Sequence, residues 1–394
     1  MSSHWPHALL GEICTKVTDG SHNPPKGIEV SSFMMLSSKN VLNDQITLSA
    51  PRFLSESDFI SENKRTEVQP GDVLLTIVGT VGRAAVVPPN FGNFTLQRSV
   101  AVLKPISEIV DSRFLMFALQ DRVAALQAQS QGVAQKGIYL KALKALRFAL
   151  PPLEEQKRIV ALLDKAFAAL DRALALTEAN LADAEELFDN AKQKIFSKAS
   201  AGAKTVTLGD VTSIETKLTD PRLAENLDLP HVGAGNMITG SDELIDIQTA
   251  REEKLKSGKF PFSDNVILYS KIRPYLRKVA RPEFSGLCSA DVYPLSCDDS
   301  LDRNYLFHLL LGGDFTEYAI AGSARAGMPK VNQTHLYAYK FSLPDLGLQK
   351  QVSATIDSML LQIGELKGGL KVKLQDIDDL RQSLLQKAFA GELT

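Results

Sequence analysis

The chain has 394 residues, 44% of them hydrophobic, with 44 Lys and Arg against 46 Asp and Glu. That is enough apolar material for two or three separately cored domains, and too even a charge for an unstructured basic coat. No run of 18 or more apolar residues occurs and Met1 to His7 has neither a basic nor an apolar leader region, so neither a membrane span nor a secretory signal is expected. The cysteines Cys14, Cys288 and Cys297 are widely spaced without a CxxC; they support no disulfide framework or zinc site and fit a reducing cytoplasm.

Residues 1–150 read as mostly strand with few helices. The turn Gln69-Pro70-Gly71-Asp72 precedes an apolar run, Val73 to Val78, and Arg83 to Val87 follows across the glycine-bounded turn Gly79 to Gly82. Ser99 to Leu103 reads as a strand closed by Pro105. Asp111 to Leu126 reads as a helix with Asp111 or Ser112 as its cap, and Ser130 to Gly137 as a polar loop. This segment carries 15 Lys and Arg against 12 Asp and Glu, a net +3 that is no large field.

Residues 151–200 then form a long helix. Ile159, Leu163, Ala166, Leu170 and Leu174, and further on Leu181, Ala184, Phe188, Ala191 and Ile195, recur at gaps that keep one narrow stripe toward a partner helix. Pro151 and Pro152 sit at its start, where a missing N–H costs nothing.

Residues 201–343 repeat the order with different residues. Leu208-Gly209-Asp210-Val211 answers Leu10-Gly11-Glu12-Ile13. Val266 to Tyr269 answers the run at Val73, Leu301 to Leu311 the helix after Asp111, and Ser323 to Lys330 the polar loop. The charge here is 16 basic against 18 acidic residues. Residues 344–394 give the second long helix, striped by Val352, Ile356, Met359, Ile363, Leu366, Leu370, Ile377, Leu380, Leu384 and Ala388. Its end, Gln386-Lys387-Ala388-Phe389, matches Gln193-Lys194-Ile195-Phe196. A period near 195 residues is too long for a solenoid and fits two domain-plus-helix units. Helices of about 45 residues span roughly 65 Å each. Packed antiparallel, they are expected to hold two globules apart, as suits a ligand with two sites at a fixed spacing, such as B-DNA.

The lead-in Leu-Pro-Pro-Leu-Glu-Glu-Gln-Lys-Arg-Ile-Val at residues 150–160, its weaker copy from Leu343, the two Leu-Gly-acid openings and the turn Gln69-Pro70-Gly71-Asp72-Val73-Leu74 together resemble the DNA-specificity subunit of type I restriction-modification systems. The resemblance covers essentially the whole chain. It implies an α+β protein with target-recognition domains at 1–150 and 201–343, separated by spacer helices at 151–200 and 344–394. It further implies a bipartite double-stranded DNA site, docking of two methyltransferase subunits and of restriction subunits, and no cofactor in this chain. S-adenosylmethionine, ATP and Mg would belong to those partners. The second copy departs from the pattern at Asp345 and Gly347, where the first has Pro152 and Glu154, which leaves its docking residues open.

Several matches to catalytic motifs carry no chemistry. Asn23-Pro24-Pro25-Lys26 has Lys where an amino-methyltransferase needs an aromatic ring to stack on a flipped base. Pro344-Asp345 with Glu365 and Lys367 mimics a PD…ExK nuclease, but helical rise puts Glu365 about 30 Å from Asp345. Gly233-Ala234-Gly235 lacks the rest of a dinucleotide fingerprint and reads as a turn. His231, His308 and His335 have no paired ligand spacing and read as structural. The chain is therefore expected to be non-catalytic, without a metal site.

The remaining candidates are for DNA contact. Lys271, Arg273, Tyr275, Arg277 and Lys278 follow a predicted strand, the mix expected where a loop meets phosphates and base edges. The matching turn, Thr80 to Arg83, has one cation, Arg83. His22, Asn23, Lys26, Lys39, Asn40, Lys64, Arg65, Gln97, Arg98, Lys136, Arg325, Lys330 and Asn332 sit in polar or strand-edge segments. The competing readings are a self-sufficient methyltransferase or nuclease, a scaffold that grips other proteins, and a specificity subunit serving a methyltransferase without a nuclease. Three glycines in the second long helix, Gly364, Gly368 and Gly369, mark either a close crossing or a break.

Overall fold

Leu10-Gly11-Glu12 and Leu208-Gly209-Asp210 open the two halves in the same way for the same reasons. Each Leu is fully buried. The acid turns back to accept a backbone N–H three residues earlier, Leu9 to Glu12 at 2.8 Å and Thr207 to Asp210 at 2.7 Å. A Cβ at Gly209 would stand 2.9 Å from Tyr337, so there a short helix lies where a larger residue would be, while one at Gly11 would make ordinary contact with Lys144 at 3.4 Å. The computed structural model from which this comes describes residues 5–122, 127, 137–323 and 329–393.

Contacts divide the chain into two units, Met1–Glu178 with Lys371–Thr394, and Ala179–Leu370. In the first, β1 (His7–Leu9) pairs with β9 (Arg147–Ala149). β2 (Cys14–Asp19), β8 (Val100–Pro105), β5 (Val73–Thr76) and β6 (Ala84–Val86) make an antiparallel sheet in that order, and β4 (Arg52–Leu54), β3 (Phe33–Leu36) and β7 (Asn93–Leu96) make a smaller one. Helices run over Glu56–Thr66, Ser112–Asp121 and Leu140–Lys144.

The second unit repeats these layers. β10 (Lys204–Thr207) pairs with β19 (Lys340–Leu343). β11 (Thr212–Ile214), β18 (Val292–Cys297), β15 (Val266–Ser270) and β16 (Val279–Ala280) form a four-stranded sheet that is the larger by strand length, and β13 (Gln248–Thr249), β12 (Pro230–Val232), β17 (Gly286–Cys288) and β14 (Phe260–Phe262) form a smaller one, also of four strands. Arg303–Leu310 and Gly313–Ala321 are its main helices besides the long ones.

The apolar runs at Val73 and Val266 do not alternate because both faces of each larger sheet are covered. Val73 and Leu75 face the helices, while Leu74 faces the smaller sheet; Ile267 and Tyr269 are divided from Val266 and Leu268 in the same way. Pro105 is the last residue of β8, opposite Cys14, rather than lying beyond the strand. The expected helix to Leu126 runs over Ser112–Asp121, and residues 123–126 lie outside the described residues.

The long helices span Leu153–Ser200 and Leu346–Ala390. Within each unit they run antiparallel. In the first, Arg158 reaches the Leu393 carbonyl while Arg381 pairs with Asp171; in the second, Lys367 pairs with Glu185 while Ala199 shares a core with Val352 and Ile356. Their lead-ins are anchored identically. The buried Gln156 amide accepts the Asp111 N–H at 2.9 Å and donates to the carbonyls of Ile109 and Pro151. Gln349 does the same with Asp302, Ser300 and Pro344. Asp345, which departs from the first copy, accepts the Leu348 N–H at 3.0 Å and so caps its helix.

Candidate nucleic-acid interface

The sharpest candidate loop, Lys271 to Lys278, joins β15 to β16. Ser270 donates to the Lys278 carbonyl at 3.0 Å, Lys271 N–H donates to the Asp291 carbonyl, and Val331 N–H donates to the Lys271 carbonyl at 2.8 Å. Arg273 and Arg277 both have positive φ, 50° and 45°, on either side of a 3-10 turn at Pro274–Leu276. Holding two non-glycine residues in the left-handed region costs free energy, a pattern that clusters at functional loops.

The first unit has the same braces around a different loop. Thr76 N–H donates to the Arg83 carbonyl, Ile77 N–H to the Ser99 carbonyl, and Ile138 N–H to the Ile77 carbonyl. Val78 bridges Gly137 as Ile272 bridges Lys330. Here the left-handed positions are Gly79 and Gly82, and the loop presents Arg83 where the second presents Lys278.

A second loop meets this hairpin in each unit. Asn40 is buried; its amide accepts from Ser37 N–H and donates to the carbonyls of Thr47 and Ser49. Asn236 holds the turn Gly233 to Asn236 with the same three kinds of bond. Asn40 thus belongs to the loop's frame, and Lys39 beside it is exposed. Ser38 N–H donates to the Ser99 hydroxyl at 3.1 Å, which sets Lys39 near Gln97 and Arg98. The segment Gly20 to Ser21 joins them, since Ser21 N–H donates to the Leu96 carbonyl and Arg98 N–H to the Ser21 carbonyl.

Asp19, which the sequence reading passes over, links two other candidates. It is buried at the end of β2, accepts from His22 Nε2 at 2.9 Å, and pairs with Arg65 through its carboxylate and its carbonyl. A buried acid immediately before a glycine is the signal that points to it. Gly20 is required there, because a Cβ would lie 2.0 Å from the Leu96 carbonyl oxygen.

The candidates fall into two groups by what their side chains touch. Lys271 lies over the Tyr293 ring at 4.9 Å and 3.9 Å from Asp291, and Lys330 pairs with Asp291 at 2.8 Å. Burial first, then the Lys330 charge, pushes the Lys271 ammonium down against the pull of Asp291. Lys278 donates to the Ala234 carbonyl at 2.5 Å, and Asn332 caps the helix Gln333–Tyr337 by accepting the His335 N–H. In contrast, the side chains of Asn23, Lys26, Lys39, Lys64, Arg83, Gln97 and Arg98, and of Arg273, Tyr275 and Arg277, make no hydrogen bond or ion pair among the described residues. Lys136 and Arg325 lie outside the described residues.

Histidines serve the packing. His308 is fully buried with Nε2 on Asp357 at 3.0 Å, His231 meets Glu253 at 3.0 Å, and His335 stacks on Tyr318. Among the described residues no group of three or more His, Cys, Asp or Glu is placed to hold a metal ion, and no helix is long and apolar enough to cross a membrane.

The family model described as type I restriction modification DNA specificity domain matches the chain twice, over residues 30–182 and 201–375. The chain is 26% identical over 343 residues to the type I restriction enzyme EcoDI specificity subunit of Escherichia coli, covering 77% of this chain and 74% of that one. It is 35% identical over 144 residues to the EcoBI specificity subunit of Escherichia coli, covering 36% and 29%. Among solved structures, the HsdS subunit from Thermoanaerobacter tengcongensis is similar with a TM-score of 0.59 at 20% identity, over 99% of this chain and 98% of that one. A chain described under complex assembly and conformational transition of the type I R-M system gives 0.77 at 19% identity, with the same coverage. At these identities the two structures establish a shared fold.

Proposed function

The chain belongs to the type I restriction-modification DNA specificity family, and from that premise we propose that each of its units reads one half of a bipartite, asymmetric site in double-stranded DNA. The observation that supports this is the pairing of one hydrogen-bonded frame with two different loops: the braces around residues 77–83 recur around 271–278, while the side chains they present differ. A conserved frame with exchanged side chains is what two readers of unlike half-sites need. Cations such as Arg98, Arg273 and Lys39 contact phosphates and fix register, and Gln97 or an Arg reaching a base edge supplies discrimination.

The long helices set the number of unread base pairs between the half-sites and carry the docking surfaces for two methyltransferase subunits and for restriction subunits. This chain supplies position only. S-adenosylmethionine chemistry, together with ATP and Mg, resides in those partners, and the complex works in the cytoplasm.

Binding of the full chain to random duplex DNA tests the reading. Affinity should fall steeply with salt and should rise on one bipartite sequence selected from a random pool. Salt-insensitive binding, or selection of no sequence, would favour the protein-gripping scaffold.

A further inference from the structure

Within the second unit a cavity of about 570 Å³ opens between the end of the first long helix, the helices Arg303–Leu310 and Gly313–Ala321, and β19. Its size is that of a small-molecule site. Lys192 and Arg277 both line it, and neither side chain is ion-paired with a carboxylate among the described residues. Two like charges left facing one cavity repel each other until an anion lies between them. Burial pushes the Lys192 ammonium down to about 8; Asp189 opposes this and the Arg277 charge adds to it.

One further feature favours an oxyanion. The helix Gly313–Ala321 begins in the cavity wall with Gly312 at its cap, so no side chain occupies its first N–H groups, and a Cβ at Gly313 would meet nothing within 4 Å. Such an end attracts negative charge. The acids of the lining, Asp189, Asp314 and Glu317, are exposed.

We infer that this cavity is a phosphate-binding site held by Lys192, Arg277 and the Gly312–Gly313 helix end. The phosphate comes either from the DNA backbone beside the Lys271 to Lys278 loop or from a small nucleotide. The first source rests on the half-site reading above; the second does not.

The test compares the full chain with Lys192→Gln and Lys192→Arg, by calorimetric titration with inorganic phosphate and with ADP, and by the salt dependence of random-duplex binding. Saturable phosphate or ADP binding, weakened at least tenfold by Lys192→Gln and kept by Lys192→Arg, supports a small-molecule source. No such binding, with a slope of log K on log salt shallower by about 0.9 in Lys192→Gln and restored in Lys192→Arg, supports the backbone source. Neither binding nor a change of slope would overturn the site, as would equal losses in both variants accompanied by a lower melting temperature. A chain that binds no duplex at all defeats the half-site reading, and phosphate and ADP titration then decides this inference alone.

Discussion

The ring of Phe389 lies 5.2 Å from that of Phe114, and Phe196 stands 5.1 Å from Tyr305 in the equivalent place of the second unit. The matched ends of the long helices are thereby explained: each tail closes a domain core. Phe389→Ala removes a partly buried ring and should cost roughly 2–3 kcal/mol. Hydrogen exchange should report it as lost protection in Val73–Thr76 with Val266–Ser270 unchanged; equal loss in both strands would mean that the tail is not confined to one core.

His308 makes stability depend on pH. Burial, more than the Lys192 and Arg281 charges, lowers its pKa from 6.5 to about 4, against the pull of Asp357. In the unfolded chain it takes up a proton below about pH 6.5, and in the folded chain only near pH 4. Its contribution is therefore fully present above pH 6.5 and is lost as pH falls toward 4, by roughly 3 kcal/mol. Denaturant titrations of His308→Gln beside the parent should differ in slope across that window and run parallel above it.

Gly364, Gly368 and Gly369 lie in an unbroken helix, and a Cβ on any of them would meet nothing within 4 Å. Both reasons the sequence offers, a close crossing and a break, are thus set aside. Replacing all three with Ala should stabilise the chain by roughly 2–3 kcal/mol through helix propensity; an unchanged denaturation midpoint would show that the glycines relieve something the fold does not display.

Much of this architecture was legible because it is local or repeated. The helix stripes, the Leu-Gly-acid openings, the turn at Gly71 and the cap at Asp111 are set by residues a few positions apart. Hidden were contacts between distant segments. Arg113 meets Asp164, and Arg281 meets Asp357 while lying 4.4 Å over Phe307; no periodicity links such positions. For the same reason Asn40, Lys278 and Asn332 read as surface candidates, although their side chains are spent on loop frames and a cap. Composition alone makes Arg273 and Arg277 candidates, and only the backbone shows them in left-handed conformations.

Arg273→Ala with Arg277→Ala should lower affinity for one half-site at least tenfold while leaving base preference at the other intact, as read by selection from randomised duplexes. Equal loss across both halves would contradict the assignment of these residues to the half-site of the second unit.

The most direct measurement exchanges residues 201–343 for the corresponding segment of a relative and maps methylated adenines in cells carrying the complete system. The account predicts a bipartite motif in which one half changes and the other half and the gap remain. A motif that changes in both halves, or that is continuous, would contradict it.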